Sequence, residues 1–164
     1  MLPERKNPRL KNYDYGSKGA YFLTLCSKGK TNVFSQIVGR GILDAPEVRL
    51  TEYGKCVDDT IKYLSEHRND IAVEKYVIMP NHLHLLVSIV GEKGGASGMP
   101  RPTNEMIPEF VSSLKRFTNK KCGVDLWQVG YHDHIVRDGA DYSLRWRYID
   151  DNPRRWTEDN YYCE

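Results

Sequence analysis

No stretch of this 164-residue chain stays apolar for the roughly 18 residues that a membrane-spanning helix needs. The mean hydropathy of −0.62 agrees. The opening MLPERKNPRLK is basic but has no apolar segment behind it, so no secretion signal is read there. The expectation is a cytoplasmic protein without a membrane partner. Cysteine is scarce and scattered, at Cys26, Cys56, Cys122 and Cys163, with no CxxC pair. That excludes a zinc knuckle and a disulfide framework, and reduced thiols are the simplest reading. Charge of one sign is also lacking, because the formal net charge is only +2. The total therefore does not announce a nucleic-acid partner. Internal repeats are absent.

Present instead is enough apolar material, 40% hydrophobic against 28% charged, for one domain with a sizeable core spanning 1–164. The basic residues are grouped. Arg5, Lys6, Arg9 and Lys11 lie in an N-terminal arm, residues 1–19. Lys115, Arg116, Lys120 and Lys121 fall on one predicted helix, and Arg145, Arg147, Arg154 and Arg155 bracket another. Such patches either bind phosphates or are solvated faces.

AYFLTLCS at 20–27 reads as a buried strand, and residues 28–50 as a loop with a short strand. Tyr53, Val57, Ile61 and Leu64 have helical spacing behind an N-cap at Thr51, with Gly54 weakening the first turn. IAVEKYVIMP and HLHLLVSIV form two strands split at Pro80-Asn81, an antiparallel hairpin. The Gly- and Pro-rich stretch 91–104 is a flexible loop within the domain. A helix follows over about 105–121, with Ile107, Phe110, Val111, Leu114 and Phe117 on its core face and Pro108 in its first turn. A strand within 125–138, a helix over 140–152 and a short tail, 153–164, complete the chain. The fold class is α+β: a ferredoxin-like βαββαβ arrangement, an antiparallel sheet with helices on one face.

Alternate residues of a strand share a face. His82 and His84 therefore put their rings side by side, with Cα atoms about 6–7 Å apart, while Leu83 points into the core. The pair is either two ligands of one cation or two polar residues on a solvated face. The same spacing recurs at His132 and His134, on what reads as an outer strand with a charged end. There His134 either supports the site from a second layer or lies at the surface. On the last helix Tyr142, Arg145, Trp146 and Ile149 make the expected core face, with Tyr148 and Asn152 together beside it. Tyr148 either packs or presents its hydroxyl to the sheet, and Asn152 either lends a carbonyl oxygen or caps the helix before Pro153. A tyrosine with a pKa of about 10 is a weak nucleophile at neutral pH. It attacks a phosphodiester more readily beside a divalent cation. Two imidazoles and an amide oxygen leave positions open for phosphate, a mixed site suited to Mg²⁺ or Mn²⁺.

The stretches MPNHLHLLV, FVSSLKRFTNKKCG, LWQVGYHDHIVRD and RYIDDNP, with RLKNYDYGSKGAYFLTLCSK at the start, resemble the single-tyrosine HUH transposases. They resemble most closely the REP-associated tyrosine transposases, relatives of small insertion-sequence transposases. The resemblance runs in order over nearly the whole chain. It implies the ferredoxin-like HUH fold and a metal-dependent single-strand DNA endonuclease and strand transferase, with Mg²⁺ or Mn²⁺ as cofactor and a 5′-phosphotyrosine intermediate. It makes Tyr148 the nucleophile, His82 and His84 metal ligands, and Asn152 the third ligand. The implied partner is hairpin DNA of palindromic repeats with a single-stranded flank, and the protein is a monomer or a homodimer. Arg5, Arg9, Lys115, Arg116, Lys120, Arg145 and Arg154 are then candidate DNA contacts, and Tyr or Trp side chains stack on unpaired bases. Asp150 and Asp151 stand where relatives often carry Glu-Asn, and are read as facing solvent. Val129 replaces a commonly polar or basic residue. The tail that regulates site access in some relatives is expected to be truncated. The competing readings are a non-catalytic DNA-binding relative and an unrelated ferredoxin-like RNA-binding module. The former is disfavoured by the joint presence of His82, His84 and Tyr148, and the latter by central strands without base-stacking aromatics.

Overall fold

The computed structural model describes residues 19–39, 45–90 and 106–163. The basic arm with Arg5 and Arg9, and the loop 91–104, lie outside them. Strands β1 (Ala20–Cys26), β4 (Ile71–Ile78), β5 (His82–Ile89) and β6 (His132–Ile135) form one sheet in the order β4-β5-β1-β6. Every neighbouring pair is antiparallel. With α1 (Glu52–His67) between β1 and β4, and α2 (Met106–Cys122) between β5 and β6, this is the expected ferredoxin-like pattern. Residues 28–50 differ from the expectation. They hold two strands, β2 (Ser35–Val38) and β3 (Glu47–Leu50), paired as a separate antiparallel sheet. Four-residue strands with weak alternation carry little signal in the sequence.

Alternation in β1 and β5 divides the sheet chemically. Leu83, Leu85, Val87 and Ile89 share the main core with Tyr21, Leu23 and Leu25 of β1. Val57, Ile61 and Leu64 of α1, and Ile107, Phe110, Val111 and Leu114 of α2, close this face. The two helices of the βαββαβ pattern thus cover one side. The other side carries Phe22, Thr24, His82, His84 and Leu86, and α3 (Gly139–Asp151) lies across it. Of the expected core face of α3, Ile149 is fully buried, while Tyr142 packs only partly. Trp146 faces outward, with the Lys75 ammonium 4.3 Å from its ring centre. The reason is position: α3 rests on β4 and β5, where Lys75 supplies a cation instead of core.

Thr51 caps α1, its hydroxyl accepting from the Gly54 N–H at 3.1 Å. Gly54 is required there, because a Cβ would lie 1.9 Å from the Phe34 carbonyl oxygen. Alanine ordinarily stabilises a helix over glycine. Gly54→Ala is expected to do the reverse and cost about 2–3 kcal/mol through overpacking. Urea unfolding would show it; an unchanged midpoint would refute the close approach.

Candidate functional site

The turn at Pro80-Asn81 delivers His82 and His84 to a central strand, on the α3 side. Both are buried, at 0% and 2% exposure, and their ring centres are 4.5 Å apart. The reading of them as solvent-facing polar residues is therefore excluded. Asn81 sets the state of the first ring. Its amide nitrogen donates to the Tyr161 and Lys30 carbonyls, at 2.6 and 3.3 Å. That turns its oxygen toward His82 Nδ1, at 2.8 Å, so Nδ1 carries the proton and Nε2 is a bare lone pair. His84 Nδ1 lies 2.8 Å from Thr24 Oγ1, directly across the β1–β5 register, and can donate in the same way.

Among the described residues His82 Nε2, His84 Nε2 and Asn152 Oδ1 are buried without a hydrogen-bond partner. Buried polar atoms seldom remain so, and each costs roughly 1–3 kcal/mol. All three are acceptors in the neutral state. Asp159 joins them: one oxygen is 3.8 Å from His82 Nε2, and its ligand atom lies within 4.8 Å of both histidines'. Ligand atoms around a six-coordinate cation at about 2.1 Å are about 3 to 4.2 Å apart. The His82–Asp159 separation of 3.8 Å falls in that range, and the bound of 4.8 Å on the others lies close to it. The donor set therefore fits a divalent cation. Burial pushes His82 down to about 4, partly opposed by the Asp159 charge and by Asn152. His84 is held well below the ordinary histidine range, by burial first and then by the charges of His82 and Arg145. Both rings are kept unprotonated, as ligands must be.

These shifts predict a pH effect on the metal-free protein. With His82 near 4 when folded and about 6.5 when unfolded, the unfolded chain binds the extra proton below pH 6.5. Stability is full above that pH and falls as pH drops toward 4, by about 2 kcal/mol at pH 5 from this group alone. Urea melts in chelator at pH 7.5 and 5 would measure it, and equal midpoints would contradict it.

Tyr148 stands beside the pair within the same chain. Its ring centre is 5.2 Å from that of His84 and 5.7 Å from that of Phe22, and it is 38% exposed. Burial raises its hydroxyl above the ordinary range, while Asn152, Arg145 and Arg155 favour the tyrosinate. A cleft of about 440 Å³ opens next to it, lined by Leu144, Arg147, Asn152, Arg155 and Asp159 among others. Asn152 occupies the C-terminal cap of α3 with its side chain buried at 3% exposure, reaching both His82 and Tyr148.

Other predicted residues fall elsewhere. His134 does not support the metal cluster; its Nε2 is 2.7 Å from Asp141 Oδ2. β1 separates β6 from β5, so the two His-x-His motifs are two strand spacings apart, about 10 Å. Lys115, Arg116 and Lys120 lie on α2, in the helix layer behind the sheet. The Lys115 ammonium donates to the Gln128 and Gly130 carbonyls at 2.8 and 2.5 Å. The Arg116 guanidinium lies over Phe117 at 5.2 Å, and Lys120 lines a groove with Tyr63 of α1. Arg154 is exposed just beyond α3, and Arg145 is on the site face. Asp150 pairs with Lys75 at 2.7 Å instead of facing solvent alone.

Sequence reasoning missed Asp159, Asn81 and Thr24, and had Tyr161 only as a fallback nucleophile. The stretch after Pro153 is not a free tail. Trp156 is buried, 5.9 Å from the His82 ring, and Tyr161 packs on the same ring at 4.6 Å. The tryptophan and two tyrosines in so short a segment were the available signal that it docks.

No family model matches the chain. An uncharacterized protein of Haemophilus influenzae is 27% identical over 178 residues, covering 99% of this chain and 96% of that relative. Among solved structures, a REP-associated tyrosine transposase bound to a REP hairpin superposes with a TM-score of 0.62 at 17% identity. The match covers 94% of this chain and 75% of that one. The chain therefore shares the fold of that structure, in agreement with the expected HUH architecture. Among the described residues no helix is long and apolar enough to cross a membrane.

Proposed function

We propose that this protein is a divalent-metal-dependent single-strand DNA endonuclease and strand transferase of the REP-associated tyrosine transposase type. Its nucleophile is Tyr148, and its substrate is hairpin DNA of palindromic repeats with a single-stranded flank. The observation that carries the reading is the meeting, in one chain, of a half-exposed tyrosine with three buried, unpartnered acceptor atoms on His82, His84 and Asn152. Asp159 adds a carboxylate to that set. The arrangement suits Mg²⁺ or Mn²⁺, which when bound polarises a phosphate and stabilises the charge that develops on it.

The chain's own residues supply the rest. Asn81 and Thr24 hold the imidazoles with their Nε2 atoms inward. Phe22 and His84 hold the Tyr148 ring on two sides. The phenol loses its proton to water at the exposed rim, and its oxygen bonds to phosphorus. The bond from phosphorus to the 3′-oxygen breaks, and that oxygen leaves as a hydroxyl after taking a proton. Attack of a 3′-hydroxyl on the phosphotyrosine reverses these changes and joins strands. One chain holds nucleophile and ligands together, so a monomer suffices for the chemistry, and a homodimer is not required. A cytoplasmic location accords with a DNA substrate.

The test is incubation with labelled hairpin oligonucleotides bearing single-stranded flanks, with Mn²⁺, with Mg²⁺ and with chelator. A covalent adduct that forms with metal and not with chelator is the expected result. Tight binding with no adduct under any condition would instead make the protein a binding module.

A further inference from the structure

The second histidine motif has so far no part in the chemistry, yet it ends on the same face. His134 Nε2 donates to Asp141 Oδ2 at 2.7 Å, and the Arg137 backbone N–H donates to the same oxygen at 3.1 Å. Asp141 Oδ1 accepts from Arg145 Nε at 3.2 Å. Three donors thus hold one carboxylate, which stays ionised down to about 2, chiefly through the His134 hydrogen bond. Asp138 caps α3 by accepting from the Asp141 N–H, so the carboxylate is also fixed at its backbone.

Arg145 is therefore held by its Nε edge. Its Nη2 comes within 3.3 Å of His134 Nε2, but that nitrogen's proton is committed to Asp141, so the approach satisfies neither donor. Nη1 has no partner among the described residues. A guanidinium anchored at Nε keeps its outer fork for a phosphate or carboxylate. The place of this one is specific. It lies over the Phe22 ring at 5.4 Å, and that same ring stacks on His84 at 5.0 Å and meets the edge of Tyr148 at 5.7 Å. Arg145 also stands three residues, one helical turn, before Tyr148 on α3. Its charge is felt at both neighbours, opposing protonation of His84 and favouring the Tyr148 tyrosinate.

We propose that Arg145 is an anion-binding residue of this site, taking a non-bridging oxygen of the phosphate that Tyr148 attacks, with Asp141 and His134 as its positioning residues. This assignment rests on the DNA-nicking reading for the identity of the phosphate. It explains why a His-x-His motif remote from the metal cluster sits on a strand facing α3: its histidine orients an arginine.

Two measurements test it. The first needs no activity: inorganic phosphate is titrated into metal-free protein while the Arg145 Nε–H signal is followed by NMR. A saturable phosphate-dependent shift of that signal is expected in the wild type, and a signal unmoved by phosphate would overturn the assignment. The second compares adduct formation on an ordinary oligonucleotide and on one with a methylphosphonate at the mapped cleavage position. Arg145→Gln is expected to lose about 10²–10³-fold on the phosphodiester. On the methylphosphonate diastereomer that lacks the oxygen it would bind, the same substitution should cost little. Arg145→Lys, which keeps the charge, should recover part of the rate. His134→Asn should lower the rate about tenfold with the phosphate shift weakened but present. Thermal melts establish that each variant is folded. Phosphate binding at Arg145 without any wild-type adduct would leave the anion site standing and remove the nicking reading. A wild-type adduct with Arg145→Gln within threefold of it, or with equal methylphosphonate losses in both proteins, would overturn the assignment alone.

Discussion

Tyr148→Phe is expected to abolish the covalent DNA adduct while leaving the fold and hairpin binding intact. Loss of one oxygen removes the only atom of that side chain able to bond phosphorus, so the effect is total, not graded. The ring itself contributes packing against His84 and Phe22, and phenylalanine keeps that contact. The residue is 38% exposed and loses one atom, so the change should alter stability by less than about 0.5 kcal/mol. Denaturing gels with end-labelled DNA read the adduct, and gel shifts read the binding. Tyr161 is the informative control. It packs on His82, and burial pushes its hydroxyl up to about 12, so almost none of it is tyrosinate at neutral pH. An adduct that survives Tyr148→Phe and disappears in Tyr161→Phe would transfer the role to Tyr161.

His84→Ala is expected to remove the stabilisation that Mn²⁺ confers. A ligand present at 100 times its dissociation constant stabilises the folded state by about 2.7 kcal/mol. In a domain of this size that corresponds to a rise in Tm of about 5–10 °C. The wild type should show such a rise. The variant should show almost none, with Mn²⁺ affinity down at least about 100-fold, since changes to residues merely supporting a ligand already cost 10–100-fold. The measurement requires no DNA, so it separates metal binding from catalysis. Equal Mn²⁺-induced shifts in the two proteins would remove His84 from the ligand set. Asp159→Asn and Asn152→Ala, assayed in the same way, would apportion the oxygen ligands between the cap of α3 and the segment beyond it.

Several of these residues could be found without coordinates because their signals are local. The spacing of His82 and His84 around Leu83 is a two-residue period, and β5 obeys it. Thr51, Ile107, Phe110 and Leu114 follow from capping and from the 3.6-residue period, and α1 and α2 confirm them. The likeness to tyrosine transposases also rested on short motifs in order, and the fold agrees with it. The failures are of another kind. Gly54 read as a weak helix residue because its reason for being glycine is the Phe34 carbonyl, twenty residues earlier. Lys115 read as a phosphate contact because nothing local shows that its ammonium is occupied by the carbonyls of Gln128 and Gly130. Asp159 read as tail.

The amino-acid sequence alone therefore determined the elements of the βαββαβ frame and their order, the shared face of His82 and His84 and the pairing of Tyr148 with Asn152 along one helix. Periodicity and capping depend on neighbours within a few positions, and these are written in the chain. The outer place of the second His-x-His motif was also legible, from its charged end, but tertiary structure alone decided that the Nε2 atoms of His82 and His84 are buried and bare, and that His134 orients Arg145. It also decided that Asp159 joins the His82 and His84 pair. Those outcomes depend on strand order and on a terminal segment returning across the sheet, and contacts between such distant positions leave no period to read.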